Sequence, residues 1–493
     1  MNLRTAPASR FTDQDCAPYA EALLAHAERS WLRLNVPGHA AADRSLTAAF
    51  GPRISALDFP PLLEGIDLGA HAPLQESLDL AAGAWGARRT WFLTNGASQG
   101  NQIAAMITPA LGRTLVVQRS VHSSVVDGLV LSGMDAAFVQ PSVDVAQGIA
   151  HGVTASDVAD ALGRVPDAAA VYIVSPSYFG AVADVRAIAD VAHAAGVPLI
   201  VDEAWGAHFG FHPALPEGAL ALGADLVTSS THKLAGSLTQ SAMLHLADGP
   251  FAERLEPLVD RAFRLVQSTS ASALLTASLD LARQTLVHGG DRIGASIQAA
   301  DKIRGVLRAL GRYRIVSDTF PRFADITATD PLRIAIDTRH GGISGHEARR
   351  LLYRDHQIMV EVATDAAIVA VVGAGFAPDV DRFIEGLHCL PAPLDGQQRF
   401  TDDRLYLPEP GAARMTAREA FLSPAHLVPA EEAVGRVSAD TLAAYPPGIP
   451  NVLPGEVITA ETVAFLQRTA AAPNGHVRGA VDPTVSQLRV VAH

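Results

Sequence analysis

The 493-residue sequence predicts an α/β fold: a large, mostly parallel sheet wrapped by helices, followed by a smaller α+β domain and a C-terminal domain. Three observations carry this expectation. Residues 170–174 (Ala-Val-Tyr-Ile-Val) and 197–202 (Val-Pro-Leu-Ile-Val-Asp) are continuous apolar runs, as strands buried on both faces require. Between them Val185, Ile188, Val191 and Ala192 recur with helical spacing, behind Asp184 as cap and before Gly196 as terminator. Such a β-α-β unit implies a parallel pair joined by a right-handed crossover. Short apolar runs alternate with amphipathic stretches in the same way from about 75 to 305.

Taken in order, residues 1–50 read as an N-terminal helical arm that leads into a turn at Asn-Val-Pro-Gly-His (35–39). Residues 51–305 form the large domain. Its strands include 114–117, which precedes the loop Ser-Val-His-Ser-Ser, and 224–228, which precedes Ser-Ser-Thr-His-Lys-Leu. Residues 306–392 form the small domain. There 332–337, 358–361 and 367–372 read as strands, and 344–355 as a helix with Ser344 and Glu347 as a capping box. Residues 393–493 hold a linker and the C-terminal domain. The stretch 391–410 is rich in Pro, Gly, Asp and Gln, and two helical stretches are expected around 445–456.

Composition narrows the function. Apolar residues make up 48%, which excludes disorder, and the formal net charge of −13 disfavours a nucleic-acid or anionic-membrane partner. No apolar run is long enough to span a bilayer, and the first thirty residues lack a signal core. Cys16 and Cys389 are the only cysteines, which suits a cytoplasmic protein without disulfides. Lysine is nearly absent: Lys233 and Lys302 stand against a positive charge otherwise built from arginine. Arginine cannot lose its proton near neutrality and attack a carbonyl, whereas a lysine whose site lowers its pKa can. Lys302 lies in an amphipathic helical stretch and reads as solvated. Lys233 lies in a polar loop after a strand and is either a surviving surface lysine or a nucleophile.

Its neighbours bear on the choice. Phe-Leu-Thr-Asn-Gly-Ala-Ser-Gln-Gly-Asn (92–101) opens a helix, where the backbone around Gly96 and Ala97, with Ser98, suits a phosphate; a plain Asn-Gly turn with a serine cap is the alternative. Val-Asp-Glu-Ala-Trp-Gly-Ala-His (201–208) puts Asp202 at the carboxyl end of a buried strand, where an acid needs a partner. A protonated pyridine nitrogen would be one. Ala204 and Trp205 follow, and Trp205 fits either a flat ligand or the core. His122 is a candidate for ring stacking or proton handling. His208 and His212 have i, i+4 spacing, but Gly206, Gly210 and Pro213 argue against the helix that a shared metal would need, so no metal is expected. Together these groups suit pyridoxal 5'-phosphate. Lys233 would form the internal Schiff base, Ser230 and His232 would help hold the phosphate, and Asp202 would keep the ring nitrogen protonated.

At these residues the chain resembles the bacterial ornithine/lysine/arginine decarboxylases, pyridoxal-phosphate enzymes with an aspartate-aminotransferase type of fold. The likeness runs through Pro-Gly-His (37–39), 92–98, His122, Ser-Pro-Ser-Tyr-Phe-Gly (175–180), 202–208, Ser-Thr-His-Lys (230–233), Tyr-Pro-Pro-Gly-Ile-Pro (445–450) and Pro-Gly-Glu (454–456). The length is that of the short branch of the family. The resemblance implies a large domain of the pyridoxal-phosphate-dependent transferase type, a basic amino acid as substrate, His122 stacked on the cofactor ring, Asp202 on its nitrogen and Lys233 as the aldimine lysine. It also implies at least a homodimer in which residues 268–270, Thr269 among them, enter the neighbouring active site, and a Glu456 close to the distal cation of the substrate. The sequence departs from the family pattern at Ala40 and Ser123, where lysine is usual, and at Ala271, Ser272 and Ala273, where Pro-Ser-Tyr is usual. These departures keep two other readings open: transamination or oxidation of an arginine-like substrate, and an inactive homologue that regulates a partner.

Overall fold

The computed structural model describes residues 13–69, 71–391, 408–445, 449–471 and 475–492. A seven-stranded sheet forms its centre, in the order Arg89–Leu93, Ala242–Leu246, Leu226–Ser229, Leu199–Asp202, Ala168–Val174, Thr114–Gln118, Asp135–Val139. Ala242–Leu246 runs antiparallel to both its neighbours, and every other pairing is parallel.

The continuous apolar runs are explained by burial on both faces. Leu115, Val117, Tyr172 and Ile200 point into the cluster under the helices Gly96–Ile107 and Ser123–Ser132. Their alternates Val116, Val171, Ile173, Leu199 and Val201 meet Val158, Ile188 and Ala192 on the other side. Each such side chain contributes roughly 1.5–3 kcal/mol when fully buried. The helix Val185–Ala194 forms as expected, with the Asp184 carboxylate accepting from the Ala187 N–H and Gly196 at φ +75° closing it.

The small sheet is antiparallel, in the order Arg314–Ile315, Arg333–Asp337, Ala367–Val371, Val362–Ala363. The helix Gly345–His356 follows Ser344, whose side chain accepts from the Glu347 N–H; the reciprocal bond of a capping box does not form. Residues 358–361 are not a strand, and pairing begins only at Val362. Met359 is 82% exposed, so this run of β-favouring residues has no second face to bury.

The C-terminal part holds more strand than expected. Ala425–Pro429 pairs with Gln487–Val491, and Leu442–Tyr445 pairs with both Pro450–Val452 and His476–Arg478. Most of the expected linker, and Pro446, Pro447 and Gly448 of the 445–450 motif, lie outside the described residues. Among the described residues no helix is long and apolar enough to cross a membrane.

Candidate active site

The loops at the carboxyl ends of the parallel strands surround a cavity of about 440 Å³, the usual ligand position in an open α/β sheet. Gly96, Ala97, Ser98, His122, Asp202, Ala204, Trp205, Ser230, His232 and Lys233 all line it, so loops separated by more than a hundred residues converge on one site.

Two glycines draw the helix Gly96–Ile107 against the lysine loop. Gly96 adopts φ +70° while its N–H bonds Gln240 O at 2.7 Å. A Cβ on Gly100 would stand 2.7 Å from Thr228 Cγ2, so only glycine permits this approach. No side chain caps this helix, and Ser98 and Ser230 make no side-chain hydrogen bond among the described residues. Open amides and two idle hydroxyls suit a phosphate. His232 lines the cavity as well. Its Nδ1 lies 2.9 Å from Ser241 O and donates to it, so Nε2 of the neutral ring is an acceptor, and burial opposes protonation.

Asp202 is fully enclosed. Its Oδ1 accepts from the Ala204 N–H at 3.0 Å and its Oδ2 from Asn101 Nδ2 at 2.8 Å. Asn101 also donates to Ser124 Oγ at 3.0 Å and accepts from Tyr172 Oη at 2.9 Å. Ser124 reaches His122, whose Nδ1 lies 2.8 Å from the hydroxyl and accepts from the Ser124 N–H. The neutral imidazole therefore carries its proton on Nε2. Burial, with Lys233 and Arg478 adding to it, lowers the His122 pKa against the pull of Asp202. Asn101, Ser124 and Tyr172 were not expected from the sequence. The one signal was that Asn101 lies four residues after Ala97, on the same helical face.

Lys233 lies in the helical turn Thr231–Leu234, and its Nζ lies 4.0 Å from the Trp205 ring centre. Burial lowers its pKa from the usual lysine value to about 8; Asp202 opposes this and the Arg333 guanidinium reinforces it. Trp205 is both core and wall, because Arg333 stands 3.8 Å from the same ring. Lys302 is a solvated helix residue, ion-paired to Asp381 at 2.7 Å. His208 is buried against Asp330 at 3.1 Å, His212 Nδ1 accepts from the Ala214 N–H, and no helix joins them.

The remaining expected residues lie elsewhere. Ser268, Thr269 and Ser270 are exposed and do not line the cavity of their own chain. Glu456 is buried, with its carboxylate in a bidentate pair with Arg119 (Nη2–Oε2 2.8 Å) and Oε2 also accepting from the Leu453 N–H at 2.9 Å. Arg119 Nε donates to Pro450 O at 3.0 Å, so this cluster docks the C-terminal domain on the large one. Thr441, Ala443, Pro450, Arg478 and Gly479 thereby close one side of the cavity. The departures have local settings. Arg478 donates to Ser123 Oγ at 2.8 Å, and Ala273 is buried in a cluster with Tyr19 and Phe59.

Residues 17–328 match the model of the Orn/Lys/Arg decarboxylase major domain, and residues 399–475 that of the Orn/Lys/Arg decarboxylase C-terminal domain. The chain belongs to the Orn/Lys/Arg decarboxylase family. Among members of this family, it is 34% identical to an arginine decarboxylase of Halalkalibacterium halodurans, over 97% of this chain and 98% of that one. It is 33% identical to the arginine decarboxylase of Bacillus subtilis, over 96% and 97%. The fold is that of the lysine decarboxylase LdcF of Francisella novicida, with TM-score 0.80, 20% identity and coverage of 97% of this chain and 81% of that one.

Proposed function

We propose that this member of the Orn/Lys/Arg decarboxylase family removes CO2 from L-arginine with pyridoxal 5'-phosphate as cofactor. The observation that carries the reading is the single cavity-lining lysine, its pKa lowered to about 8, facing an Asp202 held by two donors. The choice of arginine rests on the relatives at 33–34% identity, which are named arginine decarboxylases.

The residues present fit the cofactor. Lys233 would hold it through its amine, the open amides at Ala97 and Ser98 with the Ser98 and Ser230 hydroxyls would take the phosphate, and Asp202 would face the ring nitrogen. When bound, the cofactor supplies an electron sink for the carbanion left at the substrate Cα. Asp202 would face the ring nitrogen with its orientation fixed, because Asn101 Nδ2 and the Ala204 N–H each hold one of its oxygens. His122 presents an Nε2 proton to the cavity. Lys233 and His122 are the groups able to deliver the proton that replaces CO2. The resemblance further supports at least a dimer with residues 268–270 shared between sites.

The test is a product assay on purified protein with arginine, lysine and ornithine, beside Lys233→Ala. Agmatine and CO2 from arginine, abolished in Lys233→Ala together with the visible absorbance of bound cofactor, are the expected result. A keto acid in place of agmatine would move the reading to transamination or oxidation.

A further inference from the structure

The resemblance assigned the distal cation of the substrate to Glu456, but Arg119 and the Leu453 N–H already occupy that carboxylate. Glu456 is not on the cavity wall. A positively charged side chain entering the site needs another anion, because burying it unpaired is costly.

The cavity wall holds two carboxylates, Asp202 and Asp127. Asp202 is committed to Asn101 and the Ala204 N–H, on the side of the cavity where Lys233 stands. Asp127 is different. It lies on the helix Ser123–Ser132, one turn beyond Ser123 and therefore on the same face. Its carboxylate makes no hydrogen bond and no ion pair within 4 Å among the described residues, although it feels the charge of Arg478 and His122. Asp127 is exposed at the mouth of the cavity, where desolvation raises its pKa and the charges of Arg478 and His122 act against that rise without contact. Arg478 is held aside by the Ser123 hydroxyl, at the position where the family pattern has lysine.

We propose that Asp127 receives the distal guanidinium of the substrate, and that Arg478, tethered to Ser123, is the resting counter-ion whose place the substrate takes. The inference rests on the reading of the site as one for a basic amino acid. Asp127 is here a specificity-determining residue. A planar guanidinium can bond both its oxygens, which Arg478 does not do while anchored on Ser123. The serine departure then has a consequence: a lysine on the helix would be replaced by a cation from the C-terminal domain, which can shift away.

The experiment compares L-arginine with L-citrulline, which has the same length and a neutral end group, on cofactor-loaded wild type, Asp127→Asn, Arg478→Ala and Glu361→Gln. Glu361 acts electrostatically on Lys233 but lies off the cavity wall, so it controls for a general loss of negative charge. The preference for arginine over citrulline in kcat/KM should fall at least tenfold in Asp127→Asn, with cofactor absorbance unchanged. It should hold in Glu361→Gln, and KM for arginine should fall in Arg478→Ala. If the preference is unchanged in Asp127→Asn, or falls equally in Glu361→Gln, the proposal is overturned. If wild type turns over no basic amino acid, the decarboxylase reading fails separately. Calorimetric affinities for arginine and citrulline on the same proteins then decide Asp127 by the same tenfold criterion.

Discussion

Lys233 shows how much one side chain can disclose. The scarcity of lysine singled it out, and the structure adds the cause of its reactivity, burial beside Trp205 with Arg333 close by. Only the neutral amine attacks an aldehyde, so the reactive fraction grows as pH rises through the pKa. Cofactor-free protein should therefore take up pyridoxal phosphate, followed by visible absorbance, at a rate that is half-maximal near pH 8 and levels off about one pH unit above it. A rate still rising toward about pH 10, where an ordinary lysine titrates, would contradict the lowered pKa. Asn101 is the counter-example. Its spacing from Ala97 placed it on the face toward the site but did not announce that it links Asp202, Ser124 and Tyr172, because those partners come from two strands and a helix elsewhere in the sequence. Asn101→Ala should reduce kcat roughly 10–100-fold, as loss of a supporting hydrogen bond does at comparable sites, with little change in KM. Steady-state kinetics that show only a KM effect would remove Asn101 from this role.

At the scale of elements, legibility followed length and burial. The strands leading to Asp202 and Lys233 could be read because both faces are buried, and the helix Val185–Ala194, which precedes the Asp202 strand, has a cap and a terminator. The C-terminal strands could not, since Leu442–Tyr445 and Pro450–Val452 are too short to show a period, and the third strand of their sheet, His476–Arg478, comes from beyond an intervening helix. The Pro-Gly-Glu segment was recognised as important, and within the chain it has a structural task. Glu456 holds Arg119, which in turn holds Pro450 O, and the wall containing Arg478 depends on that docking. Glu456→Gln leaves a buried guanidinium without its counter-charge, a change that destabilises by about 3–5 kcal/mol in comparable buried pairs. The expected outcome is a lowered melting temperature and faster proteolysis between the large and C-terminal domains. Full stability with selective loss of arginine binding would instead return Glu456 to the substrate.

At the scale of the whole molecule, the single chain leaves two surfaces unexplained. Leu32, Leu34 and Val36 are 84%, 87% and 68% exposed in the arm that leads into the large domain, and Leu62 near the start of that domain is 69% exposed. Large apolar side chains concentrated in this way usually mark an interface. Ser268, Thr269 and Ser270 project from the turn between Ala252–Val266 and Ala273–Val287 and do not line the cavity of their own chain among the described residues. A second copy of the chain would account for both, because a two-fold interface would cover the apolar segment and offer each serine-threonine turn to the other subunit. Sedimentation should show at least a dimer, and a Leu32→Asp, Leu34→Asp double variant should dissociate and lose activity together. Complementation tests the sharing itself. Lys233→Ala and Thr269→Arg should each be inactive alone, yet after subunit exchange one site of every hybrid dimer is intact. Random pairing makes half the dimers hybrid, so recovery should approach about a quarter of wild-type activity. Hybrids detected by native mass spectrometry without recovered activity, or a fully active monomer, would mean that each chain completes its own site.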